Sequence, residues 1–193
     1  YQVAVDTNSG ADNATMAIID GYPAISYYDV DEDDLMYVRA ANAQGTVWNN
    51  PVRAYTNGNV GRYSALIELN DSTPGILFRD STSNRILFVY ADDANGTLWY
   101  DPDLVTTNDG TFIQAIVIDT LPRMIYYNGI QENLIYMKAT SSSGRFWGDE
   151  ITVAGEGDVG GVVGTSRADA ERGAGGGRIS PSDRAGAGGD EEL

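Results

Sequence analysis

Pro74-Gly-Ile-Leu-Phe-Arg-Asp80, then Arg85-Ile-Leu-Phe-Val-Tyr-Ala91, then Asp93-Ala-Asn-Gly-Thr-Leu-Trp99 is the stretch that decides the fold, because the chain repeats its pattern three times. Upstream stand Pro23-Ala-Ile-Ser-Tyr-Tyr-Asp29, Leu35 to Ala40, Asn42-Ala-Gln-Gly45 and Trp48. Downstream stand Pro122-Arg-Met-Ile-Tyr-Tyr-Asn128, Leu134 to Ala139, Ser141-Ser-Ser-Gly144 and Trp147. The tryptophans lie 51 and 48 residues apart, and Pro23, Pro74 and Pro122 keep the same two spacings.

A period of about 50 residues built from short strands is the signature of propeller blades. Each unit divides into four short apolar runs separated by turn residues, as in a meander of antiparallel strands. The first run alternates: Ala14, Met16 and Ile18, then Ala65, Ile67 and Leu69, then Ile113, Ala115 and Val117. A period of two marks a strand. The runs end at Asp20, Asp71 and Asp119, where Asp-x-x-Pro makes a tight turn. The second and third runs are apolar on both faces and so require cover on both. Asp, Asn or Ser followed three residues later by Gly45, Gly96 or Gly144 is hairpin-turn chemistry, with glycine as the left-handed residue. The fourth run is short and carries the tryptophan. The expected architecture is all-β: a partial β-propeller of three four-stranded antiparallel blades, at about 12–60, 61–110 and 111–154.

All the aromatic residues lie at or before Trp147, whereas the region after Ala154 is rich in Gly, Ala and Ser. Residues 1–154 therefore read as the folded body, because only they carry enough apolar surface to offset the entropy of folding. Gly157-Asp-Val-Gly160 resembles the connector Gly58-Asn-Val-Gly61 that opens the second unit, but the residues beyond it show no alternation. Residues 155–193 read either as a flexible tail or as a disrupted fourth blade. The chain opens on Tyr1 without an initiator Met and reads as a piece of something longer.

The chain carries 28 acidic against 12 basic residues, a net charge of −16. That balance argues against nucleic acid, which is bound by neutralising phosphates with Lys and Arg, and against an anionic membrane surface. No apolar run approaches the ~20 residues of a membrane span. There is no Cys and no His, which removes disulfides, thiolate chemistry, the usual zinc sites and His-based triads. An extracellular or cell-surface location fits this acidic, cysteine-free repeat.

The Ile-Ser-Tyr-Tyr-Asp29, Leu-Met-Tyr-Val-Arg-Ala40 and Gly-Thr-Val-Trp48 motifs resemble the blade repeats of secreted bacterial sialidase-like propellers of the BNR-repeat group. The resemblance covers about residues 12–154. The Asp-box spacing of that group is not met, since Asn42 and Asp93 stand three residues before the glycine and the third unit has Ser141.

Residues repeated at one position in every unit read as scaffold, which assigns the three tryptophans and Tyr27, Phe78 and Tyr126 to the core. Single-copy departures are the candidate sites. Asp29, Asp31 and Asp33 alternate in the hairpin between the second and third runs, as short Ca²⁺ loops do; no other cofactor is implied. Asp29 recurs as Asp80 and Asn128, which favours a turn residue. Arg79 replaces the Tyr28 and Tyr127 of the other units. With Arg62 and Tyr63 it forms the candidate ligand contact, because the resemblance implies converging arginines around an acidic sugar; pairing of Arg79 with a nearby acid is the alternative. The expected role is a non-catalytic binding or structural module taking a carbohydrate or protein ligand, against a fragment of a glycan-active enzyme lacking a complete site. Three blades leave two faces uncovered, so self-association, or cover by further blades of a parent protein, is expected.

Overall fold

The computed structural model describes residues 4–7 and 10–155. The expected flexible tail lies outside the described residues. Twelve strands and no helix occur among them: β1 (Ala11–Ile19), β2 (Tyr22–Asp29), β3 (Asp34–Arg39), β4 (Val52–Tyr55), β5 (Val60–Glu68), β6 (Pro74–Asp80), β7 (Arg85–Tyr90), β8 (Asp103–Thr106), β9 (Thr111–Ile118), β10 (Leu121–Asn128), β11 (Asn133–Lys138) and β12 (Ile151–Ala154). They form three four-stranded antiparallel sheets, β1–β4, β5–β8 and β9–β12, each in sequence order. The three sheets are three propeller blades.

Adjacent blades pack face to face. One core joins Ile19, Ala24, Leu35 and Tyr37 of the first blade to Leu66, Ile76, Phe78, Leu87 and Val89 of the second. A second core joins Ala65, Ile67, Leu77, Ile86 and Phe88 to Ile113, Met124, Tyr126, Ile135 and Met137 of the third. Each blade thus has an entry face toward its predecessor and an exit face toward its successor. This explains why the second and third runs are apolar on both sides.

The first runs do not all point the same way. The β1–β2 turn is Asp20-Gly21 (φ 48° and 75°) and the β9–β10 turn is Asp119-Thr120 (φ 49° and 69°), both two-residue hairpins with left-handed backbone at both positions. The β5–β6 turn is longer: Leu69 N–H donates to the Thr73 carbonyl at 2.9 Å, and Ser72 takes the left-handed place at φ 62°. The repeated prolines therefore pair with Ile18, Glu68 and Val117. A one-residue slip moves every side chain to the other face. Ala65, Ile67 and Leu69 face the third blade and Ile113, Ala115 and Val117 face the second, both within the second core. Met16 and Ile18 face neither and stand 70% and 54% exposed.

The tryptophans also differ from expectation. They do not belong to the fourth strands; each forms an isolated bridge, Ala40 to Trp48, Ala91 to Trp99 and Ala139 to Trp147, and the fourth strand begins a few residues later. All three indoles are half-buried. Trp99 meets Tyr37 edge-on at 5.3 Å and Trp147 meets Phe88 at 6.5 Å, so both span a blade junction. The glycines of the preceding turn make this approach possible. A Cβ on Gly96 would lie 2.8 Å from Tyr37, and one on Gly144 would lie 2.6 Å from Phe88, at φ 68° and 72°. Gly45, at φ 64°, has nothing nearer than 3.5 Å. Gly144→Ala is therefore expected to combine overpacking, about 1–3 kcal/mol, with left-handed strain of about 1–2 kcal/mol. Gly45→Ala should show the strain alone. Urea denaturation of the two variants distinguishes them, and equal costs would refute the contact-based reading.

The exit face of the third blade carries exposed Ile116, Ile118 and Ile125 around a shallow depression of about 270 Å³ that Tyr136 and Arg123 also line.

Candidate functional site

The first strand of each blade contains a β-bulge near its start, where the register shifts between Asp12 and Thr15, between Arg62 and Ala65, and at the matching place in β9. The bulged residues are Asn13, Tyr63 and Phe112, all in left-handed backbone at φ 50°, 53° and 53°. Asn tolerates that conformation; for Tyr and Phe it costs on the order of 1–3 kcal/mol each and needs support from its surroundings. Bulges re-aim side chains, and here they bring one residue from each blade into a row. The Tyr63 and Phe112 rings meet at 5.1 Å and 55°. The Asn13 Oδ1 accepts from the Tyr63 N–H at 3.3 Å. Behind the row, Thr15, Ser26 and Ser64 form a hydroxyl chain at 3.0 Å steps that joins the first two blades.

The candidate arginines flank this row. Arg62 and Arg79 are direct partners across β5 and β6. The Arg62 guanidinium lies 4.5 Å over the Tyr28 ring and donates to its hydroxyl at 3.3 Å. The Tyr28 hydroxyl in turn donates to Asp33, which also accepts from the Asn59 amide at 2.7 Å. No ion pair among the described residues involves Arg62. Arg79 is held differently. Its Nε and Nη2 grip both oxygens of Asp109, the second at 2.9 Å, and its amines also donate to Ser81 and Asn84. The hydrogen bond to Asp109 raises the Arg79 pKa above its ordinary value. Arg79 is thus a charge-neutralised brace, while Arg62 retains a net positive charge stacked on an aromatic face.

The acidic hairpin ties Asp29, Asp31 and Asp33 to different hydrogen-bond partners. Asp29 Oδ1 accepts from the N–H groups of Asp31 and Glu32 at 3.0 and 3.3 Å, and Asp80 and Asn128 make the same turn bonds in their own blades. Asp31 accepts from the Gly10 N–H at 2.9 Å, whereas Asp33 is bound to Tyr28 and Asn59. Among the described residues no group of three or more acidic side chains is placed to hold a metal ion.

Besides Tyr28–Asp33, two further couples of a buried tyrosine with a carboxylate escaped the sequence reading. Glu150 takes hydrogen bonds from Tyr126 at 2.6 Å, Asn108 at 2.8 Å and Thr106, which ties the second blade to the third. Tyr27 donates to Asp6 at 2.6 Å. Burial and the adjacent carboxylate push both tyrosine pKa values far up, so both stay protonated. Phe112, Asn13 and Asp109 were likewise missed. A bulge leaves no mark in an alternating run, and only Asn13, a residue tolerant of left-handed backbone, hints at one.

No known protein family and no curated protein matches the sequence. Solved structures do match its fold. A family 25 polysaccharide lyase, an ulvan lyase, superposes with a TM-score of 0.57 at 17% identity, over 79% of this chain and 41% of that one. The α-L-arabinofuranosidase PaAbf62A from Podospora anserina, solved with cellotriose, gives 0.54 at 11%, over 78% and 52%. NanB, solved with optactamide, gives 0.51 at 14%, over 72% and 23%. The chain thus spans about two fifths of the ulvan lyase it matches. These likenesses show the propeller fold.

Proposed function

We propose that this chain is a carbohydrate-binding β-propeller segment of an extracellular protein, and that its ligand stacks on the Tyr63–Phe112 pair beside Arg62. The observation that carries the reading is the strained backbone at Tyr63 and Phe112: two aromatic rings are held side by side in left-handed bulges, with Phe112 still 42% exposed. Local strain of this kind concentrates at ligand sites. Aromatic rings offer sugar C–H faces an apolar platform, and the polar neighbours fix orientation. Arg62 favours a ligand bearing a carboxylate or sulfate group. The matching structures support the reading, because all those named are of carbohydrate-acting proteins or were solved with a bound compound. The proposal does not draw on calcium, since Asp29, Asp31 and Asp33 are engaged by separate partners.

Binding fits better than catalysis because the Tyr27–Asp6 and Tyr126–Glu150 couples bridge packing surfaces instead of facing the row, while the Tyr28–Asp33 couple beside Arg62 is also held by Asn59. The second reading, a fragment of a glycan-active enzyme, is favoured by the direct pairing of Arg62 with Arg79. Calorimetry with a panel of neutral, uronate-containing and sulfated oligosaccharides tests both. Phe112→Ala should weaken binding about tenfold or more, which corresponds to ~1.4 kcal/mol, while Arg62→Gln should weaken only the acidic ligands. Binding that ignores both substitutions would remove the site from consideration. Turnover of a fluorogenic glycoside, abolished by a single substitution, would replace the binding reading with the enzymatic one.

A further inference from the structure

Three observations concern the segment ahead of β1. The first is register. Val3-Ala-Val-Asp-Thr7 followed by Asn8 matches Val52-Arg-Ala-Tyr-Thr56 followed by Asn57, and Asp103-Leu-Val-Thr-Thr107 followed by Asn108. These two later stretches contain β4 and β8, the fourth strands of the first and second blades.

The second is packing. Val5 packs against the cluster Tyr27, Met36 and Val38, as Ile25 and Trp48 do. Ala54 of β4 belongs to the core of the matching set Ile76, Phe78, Leu87, Val89 and Trp99. Val105 of β8 packs with Met124, Tyr126, Ile135, Met137 and Trp147. The hydrogen bonds repeat as well: Gly10 N–H to Asp31 and Val30 N–H to the Gly10 carbonyl match Asn59 N–H to Thr82 and Ser81 N–H to the Asn59 carbonyl. Residues 4–7 and Gly10 therefore sit on the first blade as a fourth strand and connector sit on the blade that follows them. Yet residues 4–7 belong to no sheet.

The third is the bare remainder of that entry face. Met16 and Ile18 are exposed, and Trp48 has no ring partner among the described residues, unlike Trp99 and Trp147. A Cβ on Gly45 would meet only Pro23 and Trp48 of its own blade, at 3.5 Å or more, where those on Gly96 and Gly144 would meet an aromatic ring of the preceding blade.

We infer that Ala4–Thr7 is the outer strand of a further blade, and that the entry face of the first blade docks a three-stranded antiparallel unit of this same repeat. That unit would pair its third strand with Ala4–Thr7 and lay an aromatic residue, at the place of Tyr37 and Phe88, edge-on to Trp48. Continuity with the two junctions already present commits the face to this occupant, since every position of the entry face has its counterpart there.

The test supplies the missing unit. In the full chain, a second copy of residues 60–102 is joined directly to Val3, which keeps the spacing between Pro102 and Asp103. The expected result is a more heat-stable monomer in which Met16 is oxidised by peroxide as slowly as buried Met137. A version of the graft whose copied Phe88 is changed to Ser should lose most of that protection. In the unmodified chain, Val5→Asp should lower the melting temperature by several degrees. A graft that stays protease-sensitive while Met16 oxidises at its original rate overturns the inference, as does a Val5→Asp variant as stable as the parent. An unmodified chain that sediments as a dimer with Met16 already protected would assign the face to a second copy instead.

Discussion

Phe88→Ala is expected to destabilise the folded unit by about 3–5 kcal/mol, the cost of deleting a large aromatic side chain from a packed interior. Phe88 has no exposed surface and belongs to the core between the second and third blades. Trp147 meets it edge-on, Tyr90 stacks on it at 6.3 Å, and Gly75 is glycine because a Cβ there would lie 2.7 Å from the ring. Gly75 and Gly144 offer no side chain of their own to fill the space, so any relaxation must come from the rings around it. Trp99→Ala should cost less, near the lower end of that range, because its indole is half-buried and its N–H has no partner among the described residues. Trp147→Ala should cost less again in packing at the longer ring distance, although it also deletes a 2.7 Å hydrogen bond to the Gly144 carbonyl. Chemical denaturation gives the order. A Phe88→Ala cost below about 1 kcal/mol would mean that the blades do not form a shared core.

The blade repeat was legible because every unit uses the same punctuation: a proline that opens β2, β6 or β10 or stands one residue inside it, a left-handed glycine before the tryptophan, and apolar runs of strand length. Repetition averages out the ambiguity of any one short run. Details that break the repeat were not legible. The extra residue between Leu69 and Pro74 inverts the faces of β5, yet Asp71 still keeps the spacing to Pro74 that Asp20 keeps to Pro23, so sequence alignment hides the slip. The tryptophans looked like strand residues because aromatics favour strands, whereas each closes a turn by a single bridge before its fourth strand begins.

The candidate site was only partly legible, for reasons of chemistry. Arg79 stood out as a single-copy departure, but its role as a brace depends on Asp109, thirty residues away and brought close only by blade packing. Arg62 stands out through its sequence neighbours, while the property that distinguishes it is the lack of an acidic ion-pair partner among the described residues, in a chain crowded with acids. Tyr63 and Phe112 lie on different blades and meet through bulges that no residue type announces. The fold can be read from period, but the site requires pairs that only three dimensions create.

Alkaline pH is expected to unfold the protein far more steeply than its exposed tyrosines alone would. Tyr27, Tyr37 and Tyr126 are buried, and burial is the largest cause raising each pKa; Asp6 and Glu150 add to the effect at Tyr27 and Tyr126. All three donate hydrogen bonds, Tyr37 to the Ala94 carbonyl at 2.8 Å, so each needs its proton in the native state. In the unfolded chain they ionise near pH 10. Between that pH and their native values the unfolded state holds fewer protons than the native one, so stability falls as pH rises. The contribution is fully present below about pH 10, and above it each tyrosine removes about 1.4 kcal/mol per pH unit, roughly 4 kcal/mol per unit for the three. Urea denaturation at stepped pH gives the slope, and tyrosinate absorbance reports which state ionises. Tyr37→Phe should lower stability at neutral pH by about 1 kcal/mol for the lost hydrogen bond and reduce the alkaline slope by about a third. If all twelve tyrosines titrate with the ordinary midpoint while the protein stays folded, the three hydroxyls are not buried at the blade surfaces as described.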